Sequence, residues 1–117
     1  MLSFLKNLFG GKSVDFKTLV ANGAQIIDVR TVAEFKNKHL LNSTNIPLQN
    51  LRDSFDKLNK AKPIITVCAS GVRSGSAKTI LQDAGFEAYN GGGWSSLQNK
   101  LKWKIFLTIG LLKEVFI

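Results

Sequence analysis

One cysteine, Cys68, occurs in the 117 residues. A disulfide within the chain is therefore excluded, as are a Cys-x-x-Cys redox pair and a cysteine-rich metal site. A lone free thiol suits a reducing compartment better than a secreted one. Histidine is equally scarce: His39 stands alone, and a metal centre built on it would need partners the chain lacks. Long apolar runs are missing too, and nowhere is there the stretch of about twenty apolar residues that a membrane span requires. The segment Met1-Leu-Ser-Phe-Leu-Lys-Asn-Leu-Phe-Gly-Gly11 has neither a continuous hydrophobic region nor a small-residue cleavage site, so it makes a poor secretory signal. These absences point to the cytoplasm. Acidic residues are few, eight against sixteen Lys and Arg, for a net charge of +8. Such a field attracts anions in general. Thirteen of the sixteen are lysines scattered along the chain, with no dense basic block and no aromatic ladder. That argues against nucleic-acid binding and for a solvated basic surface.

What is present describes one ordinary globular domain. The chain is 44% hydrophobic and 21% charged, and a domain of this size can build one sizeable core without metals or disulfides. Apolar bursts alternate with helical patterns, the signature of βαβ units and a parallel sheet. Gln25-Ile-Ile-Asp-Val29 reads as a strand buried on both faces. Before it, Asp15 to Ala21 reads as a short helix with an N-cap, stopped by Asn22-Gly23. Thr31 with Glu34 three residues on predicts a capping box on the next helix. Ser43 to Ile46 is a second short strand. Leu48, Leu51, Phe55 and Leu58 recur at helical spacing. Pro63 to Val67 is the clearest strand, and Cys68 closes it. Val72, Ala77, Ile80 and Leu81 trace a helix that stops at Gly85. Phe86 to Tyr89 is the expected fourth strand, Asn90-Gly-Gly-Gly93 a tight turn, and Trp94 to Leu101 a helix. No internal repeat and no low-complexity linker occurs.

The informative segment is Cys68-Ala-Ser-Gly-Val-Arg-Ser74. Open α/β sheets bind ligands at the carboxyl ends of their strands, where this cysteine falls. Small residues and Gly71 let the backbone curl so that amide N–H groups point inward. The following helix adds its positive end. An anion cradle around the sulfur favours thiolate over thiol. Arg73 could add a two-pronged donor for an oxyanion. The nearby Ser70, Ser74 and Ser76 read as loop donors or caps, with capping the favoured reading for Ser74 and Ser76. A buried cysteine is often only a small hydrophobe, but this loop composition suits an exposed turn better than a core.

Taken in order, Ile26-Ile-Asp-Val-Arg30, Glu34-Phe35, His39, Asn45-Ile-Pro-Leu48, the Cys68 to Ser74 loop and Gly91-Gly-Gly-Trp94 resemble the single-domain rhodaneses. The resemblance covers roughly residues 13 to 101. It implies an α/β, three-layer fold with a central parallel sheet flanked by helices, and transfer of sulfane sulfur through a cysteine persulfide without cofactor or metal. By position, Cys68 would be the nucleophile, and the backbone amides of Ala69, Ser70, Gly71, Val72 and Arg73 would line its pocket. The donor would be a small anion such as thiosulfate, and the acceptor cyanide, a thiol or a protein. With no second cysteine, the persulfide requires an external acceptor. The family's usual Gly-His-Ile-Pro-Gly-Ala stands here as Lys38-His39-Leu40-Leu41-Asn42-Ser43. Asn42 can replace glycine at positive φ, whereas Lys38 predicts a different turn. His39 falls at a structural position, packed and hydrogen-bonded near a turn. Asp28, Arg30 and Glu34 read as a structural charge cluster, and Trp94 as a core anchor.

Two rivals share these residues. Phosphatases and arsenate reductases of this architecture use Cys-x5-Arg, but Arg73 makes Cys-x4-Arg, a ring one residue short and better suited to a single sulfur. A non-catalytic persulfide relay or interaction module would need Cys68 equally. The chain divides into an amphipathic segment at 1–12, the domain at 13–101, and a basic apolar tail at 102–117. In that tail Ile105, Ile109, Leu112 and Phe116 share a helical face. Packing on the domain is its expected fate, with a membrane surface or a second copy as alternatives.

Overall fold

The computed structural model describes residues 14–101; the readings for 1–12 and 102–117 lie outside the described residues. Four strands form one all-parallel sheet: β1 Gln25–Asp28, β2 Ser43–Asn45, β3 Ile64–Cys68 and β4 Ala88–Gly93, in the order β2-β1-β3-β4. The chain runs from β1 out to β2, then crosses back past β1 to β3 and on to β4, so its direction switches between β1 and β3, where parallel sheets open a binding crevice. Around the sheet lie the α-helices α1 Phe16–Ala21, α2 Val32–Asn37 and α3 Val72–Asp83, and residues 94–101 form a further helix, α4.

Strict alternation along the strands builds two cores. Ile27, Ile64 and Cys68 face one side with Leu51, Ala77, Leu81 and Phe86. Ile26, Ile65 and Val67 face the other with Leu40 and Leu97, packed by Phe16, Leu19 and Trp94. Because both faces of β1 and β3 are covered, these strands read as continuous apolar runs. The three-layer α/β fold expected from the sequence is thus present.

Local capping follows the sequence closely. The Asp15 carboxylate accepts from Thr18 N–H at 3.1 Å, and Thr31 and Glu34 cap α2 reciprocally. Asn42 has φ 66° and is the one non-glycine residue at positive φ among those described. Lys38, where the resembled motif has glycine, is extended at φ −167°, a conformation any residue adopts.

Two expectations are corrected. Leu48 to Leu58 forms two 3₁₀ segments, Leu48–Asn50 and Arg52–Lys57, rather than one α-helix. Asn50, Leu51, Ser54 and Leu58 each donate to a carbonyl three residues back, and the i,i+3 step keeps Leu48, Leu51 and Ser54 on one side. The fourth strand starts at Ala88 and runs through the glycines, not from Phe86 to Tyr89. Phe86 packs its ring against Phe55 instead, with centroids 5.5 Å apart. The glycines are there for close approach: a Cβ on Gly91 would lie 2.7 Å from Ile65 Cγ2 and 2.9 Å from the Thr66 carbonyl oxygen. No described helix is long and apolar enough to cross a membrane.

Candidate active site

Cys68 ends β3 at the switch point and is 1% exposed. The chain must reverse there into α3 within three residues, and Gly71 makes the turn at φ 107°. A Cβ at Gly71 would sit 3.4 Å from Gly92 Cα, so both the angle and the neighbour call for glycine. This turn aims the Gly71 N–H at the sulfur, which accepts it at 3.0 Å. The α3 end supplies a second partner, since the Ser74 hydroxyl lies 3.3 Å from Cys68 Sγ.

Burial pushes the Cys68 thiol up, but the Ser74 hydroxyl and the amides of Ser74, Gly71 and Ser70 pull it down further. The net direction is below an ordinary thiol, because each donor is better satisfied by a thiolate. The amides of Ala69, Val72 and Arg73 lie in the same turn without a hydrogen bond to Sγ. The Val72 side chain points outward and is 76% exposed.

Ser74 is not a cap. It is fully buried, and the N-cap of α3 is Gly71, with no side-chain cap bond. Ser76 is exposed and inside the helix. The Ser74 hydroxyl donates to Asn90 Oδ1 at 2.7 Å. The same oxygen accepts from Gly92 N–H at 2.9 Å, and Asn90 Nδ2 donates to the Gly71 carbonyl at 3.0 Å. Asn90 therefore ties β4 to the cysteine loop. Sequence reasoning placed it in a turn, and only the pairing of β3 with β4 brings it here. The position of Ser74, sixth after the cysteine and at the far side of the turn, was the available signal for that residue.

Arg73 answers a question the sequence leaves open. Its Nη1 and Nη2 donate to the two carboxylate oxygens of Glu34 at 2.8 and 3.0 Å, so its fork is engaged by α2 and its charge stays beside the loop. Arg73 hydrogen bonding, with help from Thr31, draws the Glu34 carboxyl down to about 2 against the burial that opposes it. Both side chains are about a third exposed, so the pair adds little stability, about 0–1 kcal/mol.

Glu34 thus separates from the other two charges of the predicted cluster. Asp28 and Arg30 form a buried pair, with Arg30 Nη2 2.7 Å from Asp28 Oδ2. Arg30 also donates to the Lys38 carbonyl at 2.8 Å and lies 5.0 Å from the centre of the Trp94 ring. It pins the end of α2 to β1 and α4. His39 is exposed; its Nδ1–H donates to the Phe35 carbonyl at 2.7 Å, and its ring stacks on Phe35 at 3.7 Å. Its contacts are with α2 and not with Cys68.

Comparison with known proteins agrees with this geometry. The family model described as Rhodanese-like domain matches residues 13–100. The uncharacterized protein YqhL of Bacillus subtilis is 39% identical over 83 residues, covering 69% of this chain and 66% of that protein. Thiosulfate sulfurtransferase GlpE of Shewanella oneidensis is 31% identical over 67 residues, 57% of this chain and 66% of that one. The chain thus spans just under two thirds of the length of each of these curated relatives. A rhodanese-like domain protein from Staphylococcus aureus superposes with a TM-score of 0.59 at 33% identity, covering 80% of this chain and 83% of that structure.

Proposed function

The chain belongs to the rhodanese-like domain family, and from that premise we propose that it is a sulfurtransferase whose Cys68 carries sulfane sulfur as a persulfide. The observation that carries this reading is the sulfur itself, at the end of β3, held by the Gly71 amide at 3.0 Å and the Ser74 hydroxyl at 3.3 Å. A sulfur so surrounded is a nucleophile without a neighbouring base.

In the first half-reaction the Cys68 thiolate attacks the outer sulfur of thiosulfate. A Cys68–S bond forms, the S–S bond of the donor breaks, and sulfite leaves with the bonding pair. The terminal sulfur of the persulfide keeps one negative charge. The tight turn of residues 69 to 73, whose Gly71 amide already donates to Sγ, is suited to hold that charge, as an oxyanion hole holds oxygen. In the second, cyanide or a thiolate attacks the terminal sulfur and the Cys68 thiolate is released. The sole cysteine cannot resolve its own persulfide, so the acceptor comes from outside. Such a chemistry, which needs a reduced thiol, suits a reducing compartment such as the cytoplasm.

A persulfide relay between proteins is a second reading. It is favoured by the Arg73 fork, which Glu34 already occupies, and by the exposed Val72 beside the cysteine loop. Steady-state thiocyanate formation separates the two. Ping-pong kinetics with thiosulfate and cyanide, abolished in Cys68→Ser, supports the enzyme. A slow thiosulfate rate with fast loading from a protein persulfide supports the relay. A chain inert to every donor sinks both.

A further inference from the structure

The Ser74 hydroxyl carries one proton and stands between two acceptors. It is 2.7 Å from Asn90 Oδ1 and 3.3 Å from Cys68 Sγ. The amide of Asn90 has one workable orientation. Flipped, its NH₂ would face the Gly92 N–H and its oxygen would face the Gly71 carbonyl, two repulsive contacts in place of the bonds at 2.9 and 3.0 Å. Oδ1 is therefore fixed toward Ser74. An amide oxygen can only accept, so the Ser74 proton points to Asn90 and the serine oxygen is left to accept from the thiol. The resting chain of donation runs Cys68 S–H to Ser74 O–H to Asn90 Oδ1.

Resting on the reading of Cys68 as the sulfur carrier, we propose that Asn90 is a positioning residue that competes with the cysteine sulfur for the single proton of Ser74. When the thiol proton leaves to solvent, the serine keeps its own proton and turns it from Asn90 to the anionic sulfur. Asn90 Oδ1 retains the Gly92 N–H, so the turn orphans no buried polar atom. The cost is one neutral hydrogen bond and the gain is a charge-assisted one, which is stronger. Asn90 thus sets how readily the nucleophile forms, while its Nδ2 holds the loop by Gly71. Its effect on the sulfur through Ser74 is opposite in sign to that of a strut, whose loss would only loosen the donors around the thiolate.

The test is the rate of iodoacetamide alkylation, read across pH, in wild type, Asn90→Ala, Ser74→Ala and the double variant. Cys68 is the one thiol of the chain, so every alkylation event reports on it. Below the midpoint of the profile, Asn90→Ala raises the rate about fivefold more with Ser74 present than with Ser74→Ala, the equivalent of one neutral hydrogen bond. Equal effects in the two backgrounds, or a smaller rise with Ser74 present, overturn the proposal and leave Asn90 a strut. Should Asn90→Ala not fold, Asn90→Asp keeps the shape and strengthens the acceptor. Its Ser74-dependent part then lowers the rate, and the absence of such a part overturns the proposal equally. Alkylation reads the thiolate alone, so a failure of sulfur transfer leaves this test intact, and the reverse holds too.

Discussion

Glu34 controls what Arg73 can do for an incoming anion. Both oxygens of the Glu34 carboxylate are engaged by the Arg73 fork, and the carboxyl, held near 2, stays ionised at any ordinary pH. A dianionic donor such as thiosulfate therefore meets a neutralised pair beside the cysteine loop. Glu34→Gln removes the negative charge and frees the guanidinium. The amide oxygen of Gln still accepts from the Thr31 N–H, so the capping box of α2 survives. Removing one carboxylate charge from within a Debye length of a dianion at a partly exposed site is worth about 1 kcal/mol. The expected result is a roughly threefold to tenfold rise in kcat/KM for thiosulfate, shrinking with added salt, while the alkylation rate of Cys68 changes far less. An unchanged or lower kcat/KM at low salt would refute the idea that Arg73 lies on the donor's path. The same pair has an acid limb. Because the folded carboxyl lies below its ordinary value of 4.5, its contribution is complete above that value and fades as pH falls from there toward 2. At this exposure the loss is about 1 kcal/mol or less, and Glu34→Gln should flatten that part of a stability–pH profile.

Two further substitutions probe the frame around the site. Gly91→Ala puts a Cβ within 3 Å of Ile65 Cγ2 and the Thr66 carbonyl in the middle of the β3–β4 pairing; urea unfolding should show a loss of about 1–3 kcal/mol, and wild-type stability would contradict the close-approach reading of that glycine. Arg30→Met leaves the fully buried Asp28 without its ion pair, so unfolding free energy should drop by about 3–5 kcal/mol at neutral pH, with partial recovery in the double variant Arg30→Met/Asp28→Asn; equal loss in both would show that packing over Trp94, not charge, carries the effect.

Local chemistry made much of the fold legible. Ile26, Ile27, Ile64, Ile65 and Val67 announce their strands because both faces of a parallel sheet are covered. Asp15, Thr31 with Glu34, and Gly85 mark helix ends through bonds that span three or four residues. The failures are non-local. Nothing within Asn90-Gly-Gly-Gly93 says that these residues lie against β3, and glycine needed for close approach looks the same in sequence as glycine needed for a turn. The 3₁₀ segments from Leu48 to Lys57 mimic an α-helix because a spacing of three serves both. At the site, Cys68 and the curl at Gly71 follow from composition and order. The Arg73–Glu34 pair spans 39 residues and the Ser74–Asn90 bond 16. Each exists only once the sheet order brings α2, α3 and β4 around the end of β3.

The central claim is that Cys68 takes up sulfur. Intact-protein mass after incubation with thiosulfate, for wild type and Cys68→Ser, tests it most directly. The account predicts a gain of one sulfur atom in wild type, discharged by cyanide and absent in the variant. No gain from thiosulfate or from any protein persulfide would contradict it and leave a rhodanese-like domain that binds without carrying sulfur.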